Sequence, residues 1–296
     1  NKPLTANIFT RTGYYFSGWN TPYGQYDDEG YYDSYYDLAD GEVVTFYAQW
    51  TPISYSISYT MNGGSMSGQK TSYTIETAAF TLPTPTRTGY TFTGWTGTGL
   101  SSATKSVSVA TGSTGNRSYT ANWSADNYSI TYNLDGGSIS GQPTSYNIET
   151  ATFTLPTPSK TGYSFAGWTG TGLSAATKSV SVAKGSTGNR SYTANWTPVN
   201  YSITYNLDGG NLSGQKTSYT IETDTFTLPT PSKTGYTFNG WTGSNGSTAQ
   251  KNVNITKGST GNKTYTANWS INQYTLTITG DAGVENITGN GTYNYD

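Results

Sequence analysis

The stretch that decides the fold reads GYSFAGWTGTGLSAATKSVSVAKGSTGNRSYTANW over residues 162–196. A second copy, GYTFTGWTGTGLSSATKSVSVATGSTGNRSYTANW, occupies residues 89–123 and differs from the first at only four positions. The offset between the copies is 73 residues, and the same offset separates Trp50, Trp123, Trp196 and Trp269. Self-similarity at a fixed period is typical of tandem repeats. We therefore predict an array of small modules of equal length.

The period sets the boundaries of the predicted modules. Three complete modules cover residues 53–125, 126–198 and 199–271. A partial module at 1–52 contains RTGYYFSGW and VVTFYAQW, which match the second half of a complete module, and a partial module at 272–296 opens with NQYTLTITG, which matches the first half. We expect the chain to be part of a longer protein.

One module is enough to predict the fold class. Tyr128, Ile130, Tyr132 and Leu134 alternate with polar residues, which predicts a half-buried strand that ends at the turn beginning with Asp135. Shorter strands are predicted at 146–149, 153–155, 163–168, 179–183 and 190–196, and no window has a helical stripe of apolar residues. Residues 156–158, Pro-Thr-Pro, predict a crossover between strands, and residues 185–189 predict a hairpin loop. The sequence therefore predicts a mainly β protein.

Charge and residue types exclude several classes of function. There are 15 Lys and Arg against 17 Asp and Glu, so no basic surface is available for nucleic acid or anionic lipid. The absence of histidine and cysteine removes Ser-His-Asp and Cys-His nucleophiles and all His or Cys metal sites. No stretch is long and apolar enough to span a bilayer, and the first residues lack the apolar run of a signal peptide, so we expect any export signal or anchor to lie outside this sequence. We expect no enzyme activity, no cofactor and no membrane contact in this region.

Three blocks of the module carry a family resemblance: an opening YSITYNLDGG, a central LPTPSKTGYSFAGW and a closing YTANW. Together they resemble the Listeria–Bacteroides repeat family, the B-repeat of internalin B, whose pattern is YxVTFxxNGG, PTRTGYTFxGW and LYAxW. The resemblance covers the three complete modules and, more weakly, both partial ones. It implies small β-grasp-like modules with a reduced or absent helix, on secreted or cell-surface proteins of bacteria and archaea.

Some charged and amide residues recur in all three complete modules: Glu76, Glu149 and Glu222; Arg87, Lys160 and Lys233; Lys105, Lys178 and Lys251; Arg117, Arg190 and Lys263; Asn122, Asn195 and Asn268. The simplest interpretation is surface ion pairs and loop hydrogen bonds, each worth about 0–1 kcal/mol. A sharper hypothesis is a spontaneous amide cross-link among Lys178, Asn195 and Glu149, with a neutral lysine attacking the carboxamide beside a protonated carboxyl. Strand alternation should turn Asn195 outward, which counts against the cross-link.

Three further features suggest sites. Sequons for N-glycosylation are numerous, and Asn116, Asn189 and Asn262 represent one that recurs in every complete module. The acidic stretch from residue 27 to 42 suggests a calcium site with Asp27, Asp28 and Asp33 as candidate ligands, although a solvated loop explains it more simply. Tyr31, Tyr32, Tyr35 and Tyr36 fit no alternation and are the expected exposed aromatic residues.

These observations favour a mechanical role. We expect the modules to form the stalk or spacer of an extracellular cell-surface protein or adhesin, which presents a distal head or builds a surface fibre. The alternative is that the modules are themselves multivalent binding units. The expected partners are neighbouring copies of the protein itself or host-surface glycans and proteins. An enzyme is the least favoured of the three classes.

Overall fold

The structure is a computed structural model of the chain, and it describes residues 2–32, 41–280 and 291–295. Every regular element within these residues is a β-strand, so the predicted mainly β fold class is confirmed. The chain forms two compact units. Unit 1 comprises Asn1–Asn127, Asn147–Thr150 and Gly185–Thr187, and unit 2 comprises Tyr128–Tyr146, Ala151–Lys184 and Gly188–Asp296.

Unit 1 holds the first eleven strands. They are β1 Lys2–Pro3, β2 Tyr14–Thr21, β3 Gly24–Tyr26, β4 Tyr31–Tyr32, β5 Tyr47–Pro52, β6 Tyr55–Thr60, β7 Ser72–Tyr73, β8 Phe80–Thr81, β9 Tyr90–Gly97, β10 Ser108–Val109 and β11 Arg117–Ala125. They form a three-stranded sheet in the order β3-β2-β5, a four-stranded sheet in the order β7-β6-β11-β9, and the two-stranded ribbons β1-β4 and β10-β8.

Unit 2 holds the remaining strands. They are β12 Tyr128–Asn133, β13 Ser145–Tyr146, β14 Phe153–Thr154, β15 Tyr163–Gly170, β16 Ser181–Val182, β17 Arg190–Pro198, β18 Tyr201–Asn206, β19 Ser218–Tyr219, β20 Phe226–Thr227, β21 Tyr236–Gly243, β22 Gly246–Gln250, β23 Asn254–Ile255, β24 Lys263–Ile271, β25 Gln273–Leu276 and β26 Gly291–Asn294. Their main sheets have the orders β13-β12-β17-β15 and β19-β18-β24-β21-β22.

Each complete repeat builds the same mixed sheet, with its first and last long strands parallel at the centre. In the second repeat β12 pairs with β17 in parallel, from Ile130 opposite Arg190 to Asn133 opposite Thr193, and the other pairs are antiparallel. Parallel strands need a long crossover connection, which here contains β13 to β16. This strand order, with no helix in the described residues of the crossover, is the arrangement that the β-grasp-like resemblance implies.

The core of a repeat lies between this sheet and a short ribbon, because alternate residues of the strands point to one face. In the second repeat Trp168 is fully buried at its centre, and β17 contributes Tyr192 and Ala194 to the same side. The β14–β16 ribbon and its flanks add Leu155 and Val182. Aromatic rings supply much of the buried apolar area, which a charge-poor chain of small residues otherwise lacks.

A β-bulge marks the pairing of the third and last strands. The register between β15 and β17 shifts between Phe165 and Gly167, so Trp196 lies opposite Phe165 while Asn195 lies opposite Gly167. The bulge keeps Trp168 and Phe165 on the core side of the sheet, where their rings meet edge to face at 5.3 Å. The same shift occurs in the β9–β11, β21–β24 and β2–β5 pairs.

Two local predictions are corrected by the structure. The predicted hairpin at residues 185–189 is wrong, because the strand before it, β16, pairs with β14 rather than with β17. The loop therefore joins the ribbon to the main sheet. The strand predicted at 146–149 ends at Tyr146, and the following residues form a turn in which the Asn147 N–H donates to Thr150 Oγ1 at 3.0 Å.

Candidate functional site: the junction between repeats

The tyrosine that begins the third long strand of a repeat contacts the following repeat. In unit 2, Tyr163 starts β15, and its hydroxyl donates a hydrogen bond to Glu222 Oε1 at 2.9 Å. Unit 1 contains two equivalent bonds, from Tyr14 to Glu76 at 2.8 Å and from Tyr90 to Glu149 at 2.9 Å. The retained glutamates that the sequence assigned to the surface are therefore acceptors for a neighbouring repeat.

The glycine before this tyrosine packs on an isoleucine of the following repeat. Gly162 has φ +77°, and a Cβ atom placed there would lie 2.5 Å from Ile221 Cδ1. Gly89 meets Ile148 and Gly13 meets Ile75 in the same way. Only glycine combines a left-handed backbone with this close approach.

Backbone hydrogen bonds hold both sides of the junction. The Val199 N–H in the connector donates to the Gly162 carbonyl at 2.9 Å, which ties the chain entering the third repeat to the docking glycine. On the receiving side the Gly258 N–H donates to the Ile221 carbonyl at 2.9 Å. The connector and the docking loop are thus fixed by main-chain contacts that do not depend on side-chain identity.

A cation stacks on the junction tyrosine. Lys160 Nζ lies 4.5 Å from the centre of the Tyr163 ring and 3.2 Å from Asp135 Oδ2. In unit 1, Arg87 takes the place of the lysine, with its guanidinium carbon 3.6 Å from the centre of the Tyr90 ring. A cation over an exposed aromatic face is worth about 0.5–1 kcal/mol. The retained Arg87, Lys160 and Lys233 therefore orient the tyrosine instead of pairing with the retained glutamate.

The hydrogen bond perturbs the tyrosine. Accepting from the hydroxyl, the Glu222 carboxylate raises the pKa of Tyr163 above its ordinary value, and partial burial and the charges of Glu222 and Asp135 raise it further. The hydroxyl is the donor, so its loss by ionisation would place two negative charges together. The junction bond therefore requires the neutral phenol.

A shallow cavity of about 490 Å³ opens beside this junction in unit 2. Its lining includes Asp135, Lys160, Tyr163, Trp196 and Glu222. Aromatic rings and hydrogen-bonding carboxylates therefore face the same space.

The residues of the cross-link hypothesis have separate partners. Lys178 is exposed, whereas the chemistry requires a desolvated amine. The Asn195 amide nitrogen donates to the Gly167 carbonyl, Thr169 Oγ1 and the Thr193 carbonyl at 3.0–3.2 Å, and so it spans the bulge. Glu149 is exposed and accepts from Tyr90 in unit 1. None of these three environments supplies the buried, neutral pair that the reaction needs.

The predicted glycosylation residues have a structural role. Asn116, Asn189 and Asn262 are exposed, and each side-chain oxygen accepts the backbone N–H of a first-strand residue at 2.9 Å, from Ser56, Ser129 and Ser202 respectively. The retained arginines also act inside one repeat: Arg190 Nε donates to the Tyr146 hydroxyl at 2.9 Å. Glycan attachment at the three asparagines stays a prediction.

The candidate metal ligands are only partly described. Asp27 and Asp28 are exposed, and Asp28 accepts the Asn7 N–H at 2.7 Å, while Asp33 lies outside the described residues. No group of three or more acidic side chains converges within the described ranges. The side chains of the four candidate exposed tyrosines, Tyr31, Tyr32, Tyr35 and Tyr36, also lie outside the described part.

The sequence missed the junction itself. Its signal is the recurrence of Thr-Gly-Tyr at residues 12–14, 88–90, 161–163 and 234–236 and of Ile-Glu-Thr at residues 75–77, 148–150 and 221–223. Each motif has the repeat period, but a period alone does not reveal that the two motifs face each other. In the third repeat, Gly235 instead lies against Tyr295.

Comparisons with known proteins agree with this architecture. The family model described as the Listeria-Bacteroides repeat domain matches residues 55–121, 128–194 and 201–268. Two Evansella cellulosilytica proteins are similar: "Putative Gly-rich membrane protein" is 28% identical over 94% of this chain, and "Putative membrane protein" is 27% identical over 80% of it. The matches cover 31% and 35% of those proteins, so the chain spans about a third of each relative's length. Across the described residues, no helix has the length and apolar character to cross a membrane.

Proposed function

Because the chain belongs to the Listeria–Bacteroides repeat domain family, we propose that it is a spacer region of an extracellular protein attached to the cell envelope. The relatives' names, which place them in membranes, support an envelope location. The spacer would hold a binding head away from the cell or contribute to a surface fibre. In such a protein, reach increases with the number of repeats.

The observation that carries this proposal is the repeated junction. A spacer must limit rotation between neighbouring repeats, and a connector of a few residues alone does not fix an angle. In unit 2 the contact of Gly162 with Ile221 and the bond from Tyr163 to Glu222 add two separate restraints beside the connector. Equivalent pairs in unit 1 support the same restraint there.

Deleting or duplicating one repeat tests the proposal. Removal of residues 126–198 joins Ala125 to Val199 and brings Tyr90 and Glu222 into the roles of a normal junction. Small-angle scattering should show that the maximum dimension falls by one increment in the deletion and rises by the same increment in a duplication. A dimension that does not change in proportion to repeat number would contradict a spacer.

A matched variant tests the junction separately. Glu222→Gln and Ile221→Ala together should broaden the distance distribution between spin labels placed in the second and third repeats, because both side-chain restraints are weakened. Asp224→Asn is the control, since Asp224 lies two residues further on and pairs with Lys257 within one repeat at 3.0 Å. Equal distributions in all three proteins would leave the connector as the only restraint and overturn the junction's role.

The cavity beside the junction supports a second candidate, multivalent binding of glycans or proteins. Its volume of about 490 Å³ lies within the range of small-ligand sites, and Trp196 and Tyr163 offer rings beside two carboxylates. A glycan array probed with the full chain and with the 126–198 deletion separates the candidates. Multivalent binding predicts a steep loss of signal on deletion, and absence of any signal from the full chain counts against binding.

A further inference from the structure

The turn after the first strand of the first repeat contains an Asn-Gly pair. The Gly64 N–H donates to the Met61 carbonyl at 3.0 Å, which closes a four-residue turn around Asn62 and Gly63. Both central residues have positive φ, +48° and +85°, as a type I′ turn requires. Asn62 is exposed, and the Gly63 N–H is not used in the turn's own hydrogen bond.

The second and third repeats carry aspartate at this position. Asp135 and Asp208 also have left-handed backbones, with φ +47° and +48°. Each forms an ion pair with the lysine that stacks on its junction tyrosine: Asp135 Oδ2 lies 3.2 Å from Lys160 Nζ, and Asp208 Oδ2 lies 3.6 Å from Lys233 Nζ. The turn therefore accepts an aspartate and places it beside the junction cation.

The first repeat has the cation but not the carboxylate. Arg87 stacks on Tyr90, and its Nε lies 3.4 Å from the position of an ideal Cβ on Gly63. Asn62 instead donates from Nδ2 to the Ala121 carbonyl at 3.0 Å. A carboxylate at residue 62 would thus enter the field of a guanidinium already held at the turn.

We propose that Asn62 is a site of spontaneous deamidation, and that its aspartyl product pairs with Arg87 and gives the first repeat the ion pair of the other two. In the reaction the Gly63 backbone nitrogen attacks Asn62 Cγ, and the side-chain nitrogen leaves as ammonia to form a succinimide. Water then adds to one carbonyl of the ring and opens it. Opening between Cγ and the ring nitrogen gives aspartate, and opening at the other carbonyl gives isoaspartate. No oxidant or enzyme is needed.

The structure ranks Asn62 against the other described Asn-Gly pairs. Asn239 lies within β21, where its neighbour Gly240 pairs with Asn268 of β24. Asn245 is half-buried, and its amide nitrogen donates to the Trp241 carbonyl at 2.8 Å. Attack requires the backbone to leave its native conformation locally, which is easiest in an exposed turn. Asn62 should therefore react faster than the other two in the folded chain.

Peptide mapping of the full chain tests the site. After incubation of the folded protein at mildly alkaline pH, mass spectrometry should find amide-to-acid conversion at residue 62 several-fold above that at residues 239 and 245. Asn62→Gln should abolish the conversion in this peptide, because the longer side chain disfavours ring closure. Conversion at residue 62 no greater than at the two controls would overturn the proposed site.

A second measurement tests the ion pair. Asn62→Asp matches the residues of the other repeats and should fold normally. An NMR titration should find that Arg87→Gln, added to Asn62→Asp, raises the pKa of the introduced carboxyl, because the guanidinium stabilises its charged form. The control is Asn62→Asp combined with Lys105→Gln, a change at an exposed lysine of the same repeat. If both double variants give the same carboxyl pKa, the pairing with Arg87 is wrong.

Discussion

At the scale of single residues, the junction depends on a glycine that no other residue can replace. Gly162→Ala should lower the free energy of unfolding by about 1–3 kcal/mol, because alanine is strained at φ +77° and its Cβ would overlap Ile221. Chemical denaturation of the full chain measures the loss. The isoleucine can move only if the junction opens, so the spin-label distance distribution should broaden as well.

Gly172 provides the matched control for this prediction. Its φ is +75°, almost the same as that of Gly162, but no atom lies within 4 Å of an added Cβ. Gly172→Ala should therefore show only the backbone cost, about 1 kcal/mol, with no change in the junction distances. Equal effects of the two substitutions would mean that contact with Ile221 contributes nothing.

The tyrosine of the junction allows an electrostatic prediction at the same scale. Glu222→Gln should lower the pKa of Tyr163 towards its ordinary value, because the hydrogen bond to the carboxylate is the main reason for its elevation. NMR of ring-labelled tyrosine follows this ionisation. Asp224→Asn, on the same exposed loop, should leave the Tyr163 pKa unchanged, and a shift of equal size in both variants would exclude a specific bond.

At the scale of strands, the bulge between β15 and β17 depends on one carboxamide. Asn195→Ala removes a side chain whose nitrogen bonds to three oxygens across the bulge, two of them backbone carbonyls. We expect a loss of about 1–3 kcal/mol in the free energy of unfolding, because half-buried acceptors lose their donor. Thermal or chemical denaturation measures the loss.

Asn133→Ala is the control for the bulge. Asn133 is exposed at the end of β12, which lies beside β17 in the same sheet. Its replacement should change stability by less than about 0.5 kcal/mol, as is usual for surface positions. If Asn133→Ala destabilises as much as Asn195→Ala, the cost reflects loss of polar surface residues and not the bulge.

The strands themselves were largely predictable from local pattern. The alternation from Tyr128 to Leu134 predicts β12, and Tyr192, Ala194 and Trp196 predict the inward face of β17, as the burial of these side chains confirms. Period-2 alternation works here because each strand has one face in the core. The predicted crossover at Pro156 is also confirmed, since β14 and β15 belong to different sheets.

Pairing was less predictable than strand position. The loop at 185–189 has hairpin composition, yet β17 pairs with β12, more than fifty residues earlier. Glycine and serine show that a chain turns, but they do not say which strand receives it. The junction was missed for the same reason, because Gly162 and Ile221 are 59 residues apart and each motif alone has an ordinary local explanation.

At the scale of the whole molecule, each complete repeat has its own core, centred on Trp95, Trp168 or Trp241. Repeat proteins of this kind gain stability from each unit and from contacts between neighbours. A change made once in a repeat is therefore diluted in the full chain, while a condition that acts on every repeat is multiplied. Alkaline pH is such a condition here.

A buried-edge tyrosine recurs in every complete repeat. Burial, with a smaller contribution from a neighbouring tyrosine, raises the pKa of Tyr59, Tyr132 and Tyr205 above the ordinary value of 10.0. Between the ordinary and the raised pKa, the folded chain keeps protons that the unfolded chain releases. Stability must then fall as pH increases through this window, because its slope with pH follows the protons bound by the unfolded state minus those bound by the folded state.

We therefore predict that the free energy of unfolding of the full chain is constant between about pH 7 and 9 and declines steeply above about pH 10. Equilibrium denaturation at a series of pH values measures the slope. Tyr132→Phe removes one of the three groups and should make the decline shallower, even though it also removes a hydrogen bond to the Pro143 carbonyl. Tyr15→Phe, at an exposed position, should leave the slope unchanged. A decline that begins well below pH 10, or a slope that Tyr132→Phe does not alter, would show that other groups control the alkaline limit.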